Sequence, residues 1–133
     1  MSAHLNAIHG YSRPAANAAE VIGRAKLMLA SNDQWYRGCG DGLDVFGDKL
    51  RTDKHVLDSR DVASLTVGAA LFRAARCDKA MAEALVYVEI AFEVSDVTAI
   101  DRLPIDYDTL YYGLSKAHGR ALIALQTQDM VAA

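Results

Sequence analysis

The sequence has little proline and little cysteine. Only Pro14 and Pro104 occur in 133 residues, and because proline interrupts helices, this scarcity favours long uninterrupted helices. The two cysteines, Cys39 and Cys77, are too few for the disulfide scaffold of a small secreted domain. We therefore expect reduced thiols and a cytoplasmic location.

Long apolar runs and basic clusters are also missing. No run reaches the about 18 apolar residues that span a membrane, and residues 1–14 lack the basic start and apolar core of a signal peptide. Lysines and arginines are scattered singly, and the formal net charge is -3. Because phosphate binding needs a concentrated basic face, these features argue against nucleic-acid binding as well as against a membrane protein.

What the sequence does contain is helical patterning. Hydrophobic residues make up 52% of the chain, enough for one helical domain over residues 1–133, with a core at about 14–127 and frayed ends. Apolar residues recur with 3- and 4-residue steps in four stretches. The prediction is an all-α fold, an irregular bundle of four main helices, with a long ordered Gly/Asp-rich loop between the first and the second.

Capping residues suggest where each helix begins. Pro14 opens the first pattern, and Asp58 or Ser59 is a candidate N-cap for the second. Asp78 and Asp106 are candidate caps for the third and fourth helices. The stripe of the predicted second helix consists of Val62, Leu65, Ala69, Phe72 and Ala75.

The third pattern is the most apolar of the four. After Lys79 its only charged residues are Glu83, Glu89 and Glu93, which share a wedge of roughly 120° on a helical wheel. Such a helix is predicted to lie at the centre of the bundle, or to be covered partly by a second subunit. The second possibility predicts a homodimer.

The loop that follows the first helix concentrates glycines and aspartates. Glycine permits positive φ, and aspartate accepts hydrogen bonds from nearby backbone in turns, so the composition is typical of an ordered connection. Apolar residues would anchor it over the bundle, and residues 43–57 could include a hairpin around Gly47 and Asp48. Ordered loops of about 25 residues are often functional. The loop is therefore a candidate binding surface, with Trp35, Tyr36, Arg37 and Phe46 as its contact residues.

Cys39 offers an enzymatic alternative. A cysteine between two glycines could act as a nucleophile, with His55 or His118 as its base. The neighbouring Asp41 and Asp44 disfavour the thiolate that such catalysis needs. We keep this small cysteine-dependent enzyme as the alternative function.

No metal or cofactor is predicted. Asp41, Asp44 and Asp48 are three and four positions apart, whereas calcium loops place their ligands at every second position and end on a glutamate. The histidines His4 and His9 lack the spacing of a zinc site, as do His55 and His118.

Tyrosines cluster at the start of the fourth helix. Tyr107, Tyr111 and Tyr112 combine apolar area with a polar tip, which is typical of interfaces. A helix edge with half-buried rings is the simpler explanation of the same residues. We take them as candidate binding residues.

Two motifs resemble a known family. The "WYRG" of residues 35–38 and the "VGAALFRAA" of residues 67–75, followed by a final amphipathic helix, are similar to small uncharacterised proteins from bacterial and phage genomes. The resemblance covers roughly residues 18–125. That family carries a cysteine before its Gly-Ala pair, where this chain has Thr66 and Val67. Because the family has no established activity, the resemblance implies a helical fold only.

The functional prediction is a non-enzymatic protein. It would act as an accessory, adaptor or inhibitor, of phage or prophage origin by analogy, that binds a protein partner and forms a homodimer. The apolar third helix, the clustered tyrosines and the lack of a convincing catalytic set favour this over the enzyme.

Overall fold

The computed structural model describes residues 13–50 and 61–132. Within these residues the four helices are α1 (Ala18–Met28), α2 (Val67–Ala75), α3 (Asp78–Phe92) and α4 (Tyr107–Ala132). Two short strands, β1 (Gly42–Asp44) and β2 (Val62–Leu65), and two 3-10 helices, Asn32–Gln34 and Val97–Arg102, lie between them. The prediction of a mainly α fold is confirmed, and the two-stranded sheet is an addition to it.

The buried core lies around α1. This helix packs against α2, α3 and α4, and its N-terminus is capped by Asn17, whose side chain accepts a hydrogen bond from the Glu20 N–H at 2.9 Å. Small residues let the neighbouring helices approach it. Seven of its positions are buried: Ala18, Ala19, Val21, Ile22, Arg24, Ala25 and Met28.

The prediction that the third helix lies at the centre does not match its burial. Helix α3 buries only Ala80, Ala84 and Val88, and the side chains of Val86 and Ile90 are 53% and 59% exposed. Apolar side chains extend around more of this helix than the neighbouring elements cover. The result is an apolar strip on the surface of the chain.

The second helix begins later than predicted. It starts at Val67, where the Thr66 side chain accepts a hydrogen bond from the Ala69 N–H at 3.2 Å; the candidate caps Asp58 and Ser59 lie outside the described residues. Val62–Leu65 instead forms β2, which pairs antiparallel with β1. Val62 and Leu65 are buried in the strand, so the apolar pattern did not distinguish it from a first helical turn.

Of the other two predicted caps, Asp106 is confirmed and Asp78 is not. Asp106 accepts a hydrogen bond from the Thr109 N–H at 2.9 Å, as predicted for the start of α4. At the start of α3 the cap position is Cys77, whose side chain makes no capping bond, and Asp78 is the first helical residue. An acidic residue in a first turn is still favoured by the helix dipole.

The glycine-rich loop turns back on itself beyond β1. Asp44 Oδ1 accepts hydrogen bonds from the N–H groups of Phe46 and Asp48, each at 2.9 Å, and Leu43 bridges to Lys49. The chain therefore reverses direction at Gly47, where the sequence predicted a turn. The remainder of the predicted hairpin, residues 51–57, lies outside the described residues. Phe46 sits at the tip of this turn and is 77% exposed, so it does not anchor the loop.

Close packing between α3 and α4 depends on Gly113. A Cβ atom at this position would overlap the ring of Phe92, whereas nothing lies within 4 Å of the corresponding point at Gly119 in the same helix. The two glycines therefore differ in how much space surrounds them. They form a matched pair for mutation.

We expect Gly113→Ala and Gly119→Ala to change stability in opposite directions. Alanine favours a helix over glycine by about 1 kcal/mol, so Gly119→Ala should stabilise the protein. At Gly113 the added methyl must displace the Phe92 ring, and such overpacking costs about 1–3 kcal/mol. Urea denaturation of both variants measures the difference. Equal stabilisation by both would show that the ring moves away without cost.

Candidate functional site

A buried carboxylate joins three parts of the chain. Asp101 Oδ1 accepts a hydrogen bond from the Trp35 indole N–H at 2.8 Å and another from the Val67 backbone N–H at 3.0 Å. Trp35 precedes the glycine-rich loop, Val67 begins α2, and Asp101 belongs to the 3-10 helix Val97–Arg102. The carboxylate thus holds the loop, the helix start and the 3-10 helix together.

Arg37 strengthens the same junction. Its guanidinium lies 4.3 Å from the centre of the Trp35 ring, a cation–π arrangement. It donates hydrogen bonds to three backbone carbonyls, those of Asp101 at 3.3 Å, Ile105 at 2.7 Å, and Leu103. Arg37 therefore fixes the position of the loop relative to the segment before α4.

Next to this junction is a cavity of about 630 Å³, which we call the loop cleft. Residues 37–41 form one wall, and the 3-10 helix forms the other with Asp101 and Arg102. The floor is the first half of α2, where Ala69 and Phe72 supply apolar surface. An apolar cavity with a few polar groups at its edge is the usual form of a small-molecule site.

The burial of Asp101 changes its acidity. Only 7% of the residue is exposed, and this desolvation raises the pKa of the Asp101 carboxyl above its ordinary value. The hydrogen bonds from Trp35 and Val67, and the charge of Arg37, act in the opposite direction without cancelling it. Sequence reasoning missed this residue, because it gave the segment around Pro104 only a connecting role.

A second cavity, the α1–α4 groove, has a volume of about 610 Å³. Leu27 of α1 lies on one side, and Tyr111, Leu122 and Leu125 of α4 lie along the other. The three α4 residues fall on one helix face, since they are 11 and 3 positions apart. The groove is a partly exposed apolar strip between two helices.

Basic groups sit within this groove. The Lys26 ammonium lies 5.2 Å from the centre of the Tyr111 ring and 3.5 Å from His118 Nδ1. Burial first, and the charge of Lys26 second, lower the pKa of His118. Gly23 makes room for the imidazole, because a Cβ there would lie 3.2 Å from His118 Nε2. His118 is thus at the edge of the core.

The predicted loop residues divide into inner and outer positions. Trp35 is buried. Tyr36 is half-buried, and its hydroxyl donates a hydrogen bond to the Cys39 carbonyl at 2.9 Å. Arg37 reaches back to the carbonyls before α4. Phe46 lies at the exposed tip of the turn, apart from the loop cleft.

The three tyrosines also have different surroundings. Tyr107 is half-buried and donates a hydrogen bond to the Leu29 carbonyl at 2.6 Å. Tyr111 lines the α1–α4 groove, whereas Tyr112 is 70% exposed. Only Tyr112 presents most of its ring to solvent.

The cysteine–histidine pair is not assembled in the described residues. Cys39 is exposed at the loop cleft, and His118 lies in the α1–α4 groove. His55 is outside the described residues.

Residues 13–50 and 61–132 contain neither a metal-binding cluster nor a helix able to span a membrane. No group of three or more His, Cys, Asp or Glu side chains there is arranged to hold a metal ion. Within the same residues, no helix combines the length and apolar character that crossing a membrane requires.

We expect Asp101→Ala and Asp101→Asn to separate hydrogen bonding from charge. Alanine leaves two buried N–H groups unpaired and should cost about 2–4 kcal/mol of unfolding free energy, whereas asparagine keeps an acceptor oxygen and should cost less. Because folding raises the pKa of Asp101, its contribution to stability is full below the unfolded pKa and is lost as the pH rises through the folded one. Asparagine should remove this dependence.

Urea denaturation from about pH 4 to pH 7 tests the sign. The stability of the wild type relative to Asp101→Asn should fall as the pH rises. A constant difference over this range would contradict the raised pKa.

No protein-family model, curated protein or solved structure matches this chain. The resemblance of residues 35–38 and 67–75 to small bacterial and phage proteins therefore stays a prediction. The two cavities and their side chains are therefore the features from which a function can be proposed.

Proposed function

We propose that the protein is a non-enzymatic interaction protein that binds a partner protein in the α1–α4 groove. The observation that carries this proposal is the exposed apolar strip along the groove, where Leu27 is 51% exposed, Leu122 40% and Tyr111 37%. Apolar side chains grouped at an open groove are typical of recognition surfaces. The four helices would serve as an irregular bundle that holds this groove in shape.

The groove favours a helical partner segment. An amphipathic helix can lay apolar side chains at i, i+4 and i+7 along a strip bounded by two helices. Lys26 adds a charge preference, because it forms no ion pair with a carboxylate of the described residues. The proposed partner segment therefore carries an acidic residue opposite Lys26.

The other predicted binding residues take different parts in this proposal. Tyr112 follows Tyr111 in α4 and is exposed, so it could extend the contact, whereas Phe46, exposed at the tip of the loop turn, would form a separate contact. Trp35 and Arg37 are engaged with Asp101 and with backbone carbonyls, so they would act by holding the loop. We propose the same supporting role for Tyr36 and Tyr107, whose hydroxyls are bonded to the backbone.

Self-association is a second proposal, supported by the exposed strip on α3. Val86 and Ile90 are one helical turn apart and both more than half exposed. Burying them against a second copy would remove apolar area from water. The two cysteines are free, and we propose a cytoplasmic protein on the composition given above.

We expect Leu122→Ser to weaken partner binding and Ile123→Ser to leave it unchanged. Leu122 lines the groove, whereas Ile123 is the adjacent residue, 64% exposed, and lies outside it. Burial of a leucine contributes about 1.5–3 kcal/mol, so binding should weaken by roughly tenfold or more. Affinity capture from the host's lysate, quantified by mass spectrometry, identifies partners that the first variant loses and the second keeps.

The affinity of the purified partner for both variants then gives the decisive comparison. Equal affinities would remove the groove from the proposal. Sedimentation of the chain alone tests whether a second copy occupies the groove, because a dimer that Leu122→Ser dissociates would identify that occupant. A dimer that only Val86→Asp dissociates would assign self-association to α3.

The cysteine-dependent enzyme remains the alternative function. Its supporting observation is that Cys39 is exposed at the wall of the loop cleft. Cys77 is half-buried, and its Sγ lies 3.7 Å from the Ala15 carbonyl oxygen. Exposure alone therefore makes Cys39 the faster thiol to react, and this difference does not show catalysis.

We expect His55→Ala to leave the alkylation rate of Cys39 unchanged, because an interaction protein needs no base at this thiol. Iodoacetamide labelling followed by mass spectrometry, from about pH 6 to pH 9, measures the rate. His118→Ala serves as the second comparison. A rate that is already maximal near neutral pH and drops in either variant would favour the enzyme.

A further inference from the structure

We propose that the loop cleft binds a small, uncharged, planar nitrogen heterocycle that donates an N–H hydrogen bond to Asp101. This site is separate from the α1–α4 groove and does not depend on the partner protein. Three features of the cleft support this ligand: its shape, the Asp101 carboxylate in its lining, and the charges around that carboxylate.

The cleft has the size and surface of a small-molecule site. Its volume of about 630 Å³ lies within the range of roughly 300–1,000 Å³ that such sites occupy. Ala69 and Phe72 of α2 form its apolar floor. A flat ring can cover this floor while its edge reaches the 3-10 helix.

Asp101 supplies the specific polar contact. Trp35 and Val67 both donate to Oδ1, and the residue's own backbone N–H also donates to the carboxyl group. Because Asp101 lines the cleft and a carboxylate has about four acceptor positions, Oδ2 can accept a further hydrogen bond there. The residue is only 7% exposed, so a ligand hydrogen bond to this carboxylate would be largely shielded from water. An N–H group of a ligand would donate to Oδ2 as the Trp35 indole N–H donates to Oδ1.

The surrounding charges argue against an anionic ligand. The Val67 N–H at the start of α2 already donates to the carboxylate of Asp101, so the protein's own anion occupies the place that a bound anion would take. Arg37 already donates three hydrogen bonds to carbonyl oxygens of the chain. An incoming carboxylate would meet Asp101 and also Asp41 in the opposite wall.

A cationic ligand is disfavoured for the complementary reason. Arg37 and Arg102 both line the cleft, and their positive charges would repel it. The two arginines and the two aspartates balance when all are ionised. A neutral ring with an N–H donor therefore fits the charge of the site best.

Indole is a suitable probe because it is neutral, flat and carries one N–H donor. Its control is benzofuran, which has the same shape and an oxygen in place of the N–H. Indole-3-carboxylate adds a negative charge to the same ring. Titration of each into the ¹⁵N-labelled full chain, followed by amide chemical shifts, gives the location and affinity of binding.

For the wild type we expect indole to shift the amides of residues 38–41, 67–72 and 98–102 saturably. For a ligand this small, a Kd on the order of 1 mM is expected. Benzofuran should bind about tenfold more weakly, since it has no N–H to donate to the Asp101 carboxylate. Indole-3-carboxylate should bind more weakly than indole.

Two variants test the residue and the cavity independently. Asp101→Asn can keep the Oδ1 acceptor for Trp35 and Val67 but places an NH₂ donor at the position of Oδ2, so indole should bind about tenfold more weakly. Thr98→Trp changes an exposed residue of the cleft wall and should block the cavity without touching Asp101. The amide spectrum of each variant shows whether it is folded.

Several results would overturn the proposal. They are the absence of saturable shifts at the cleft with about 10 mM indole, equal binding of indole and benzofuran, and stronger binding of indole-3-carboxylate than of indole. If Asp101→Asn does not fold, Thr98→Trp and the indole–benzofuran pair decide the outcome. Unchanged binding to a folded Thr98→Trp variant would place indole elsewhere.

Discussion

The hydrogen bonds to Asp101 Oδ1 constrain the rest of the structure more than any other polar contact described. One oxygen accepts the indole N–H of Trp35 and the first backbone N–H of α2, and in doing so it sets the loop, the helix and the 3-10 helix at fixed separations. Arg37 adds three bonds across the same junction. Because buried N–H groups must be paired, displacement of any one segment leaves the others unsatisfied. The loop cleft exists because these segments meet beside one another without filling the space between them.

The sequence predicts most of the helices and little of what joins them. Helix α4 could be placed from its apolar stripe and from Asp106, since both signals are local. The start of α2 could not, because Val62 and Leu65 are buried equally well in a strand, and the pairing of β2 with β1 depends on residues far away in the chain. Tertiary pairing overrode the local pattern there.

The candidate sites could be predicted from the sequence even less well than the helices. Trp35 and Asp101 are 66 positions apart, and Val67 and Asp101 are 34 apart, so no spacing rule connects them. Tyr111 was identifiable from composition alone, but its neighbour Lys26 in the groove comes from another helix. Residue types predict which side chains are capable of recognition. The fold decides which of them share a cavity.

The position of Trp35 has a spectroscopic consequence. It is the chain's single tryptophan, and its buried indole is bonded to the carboxylate at the junction. The emission of this protein therefore reports on one event, the docking of the loop, whereas far-ultraviolet circular dichroism reports on its helical content. If the two signals separate during denaturation, the loop leaves the helices before they unfold, and the domain consists of two cooperative units.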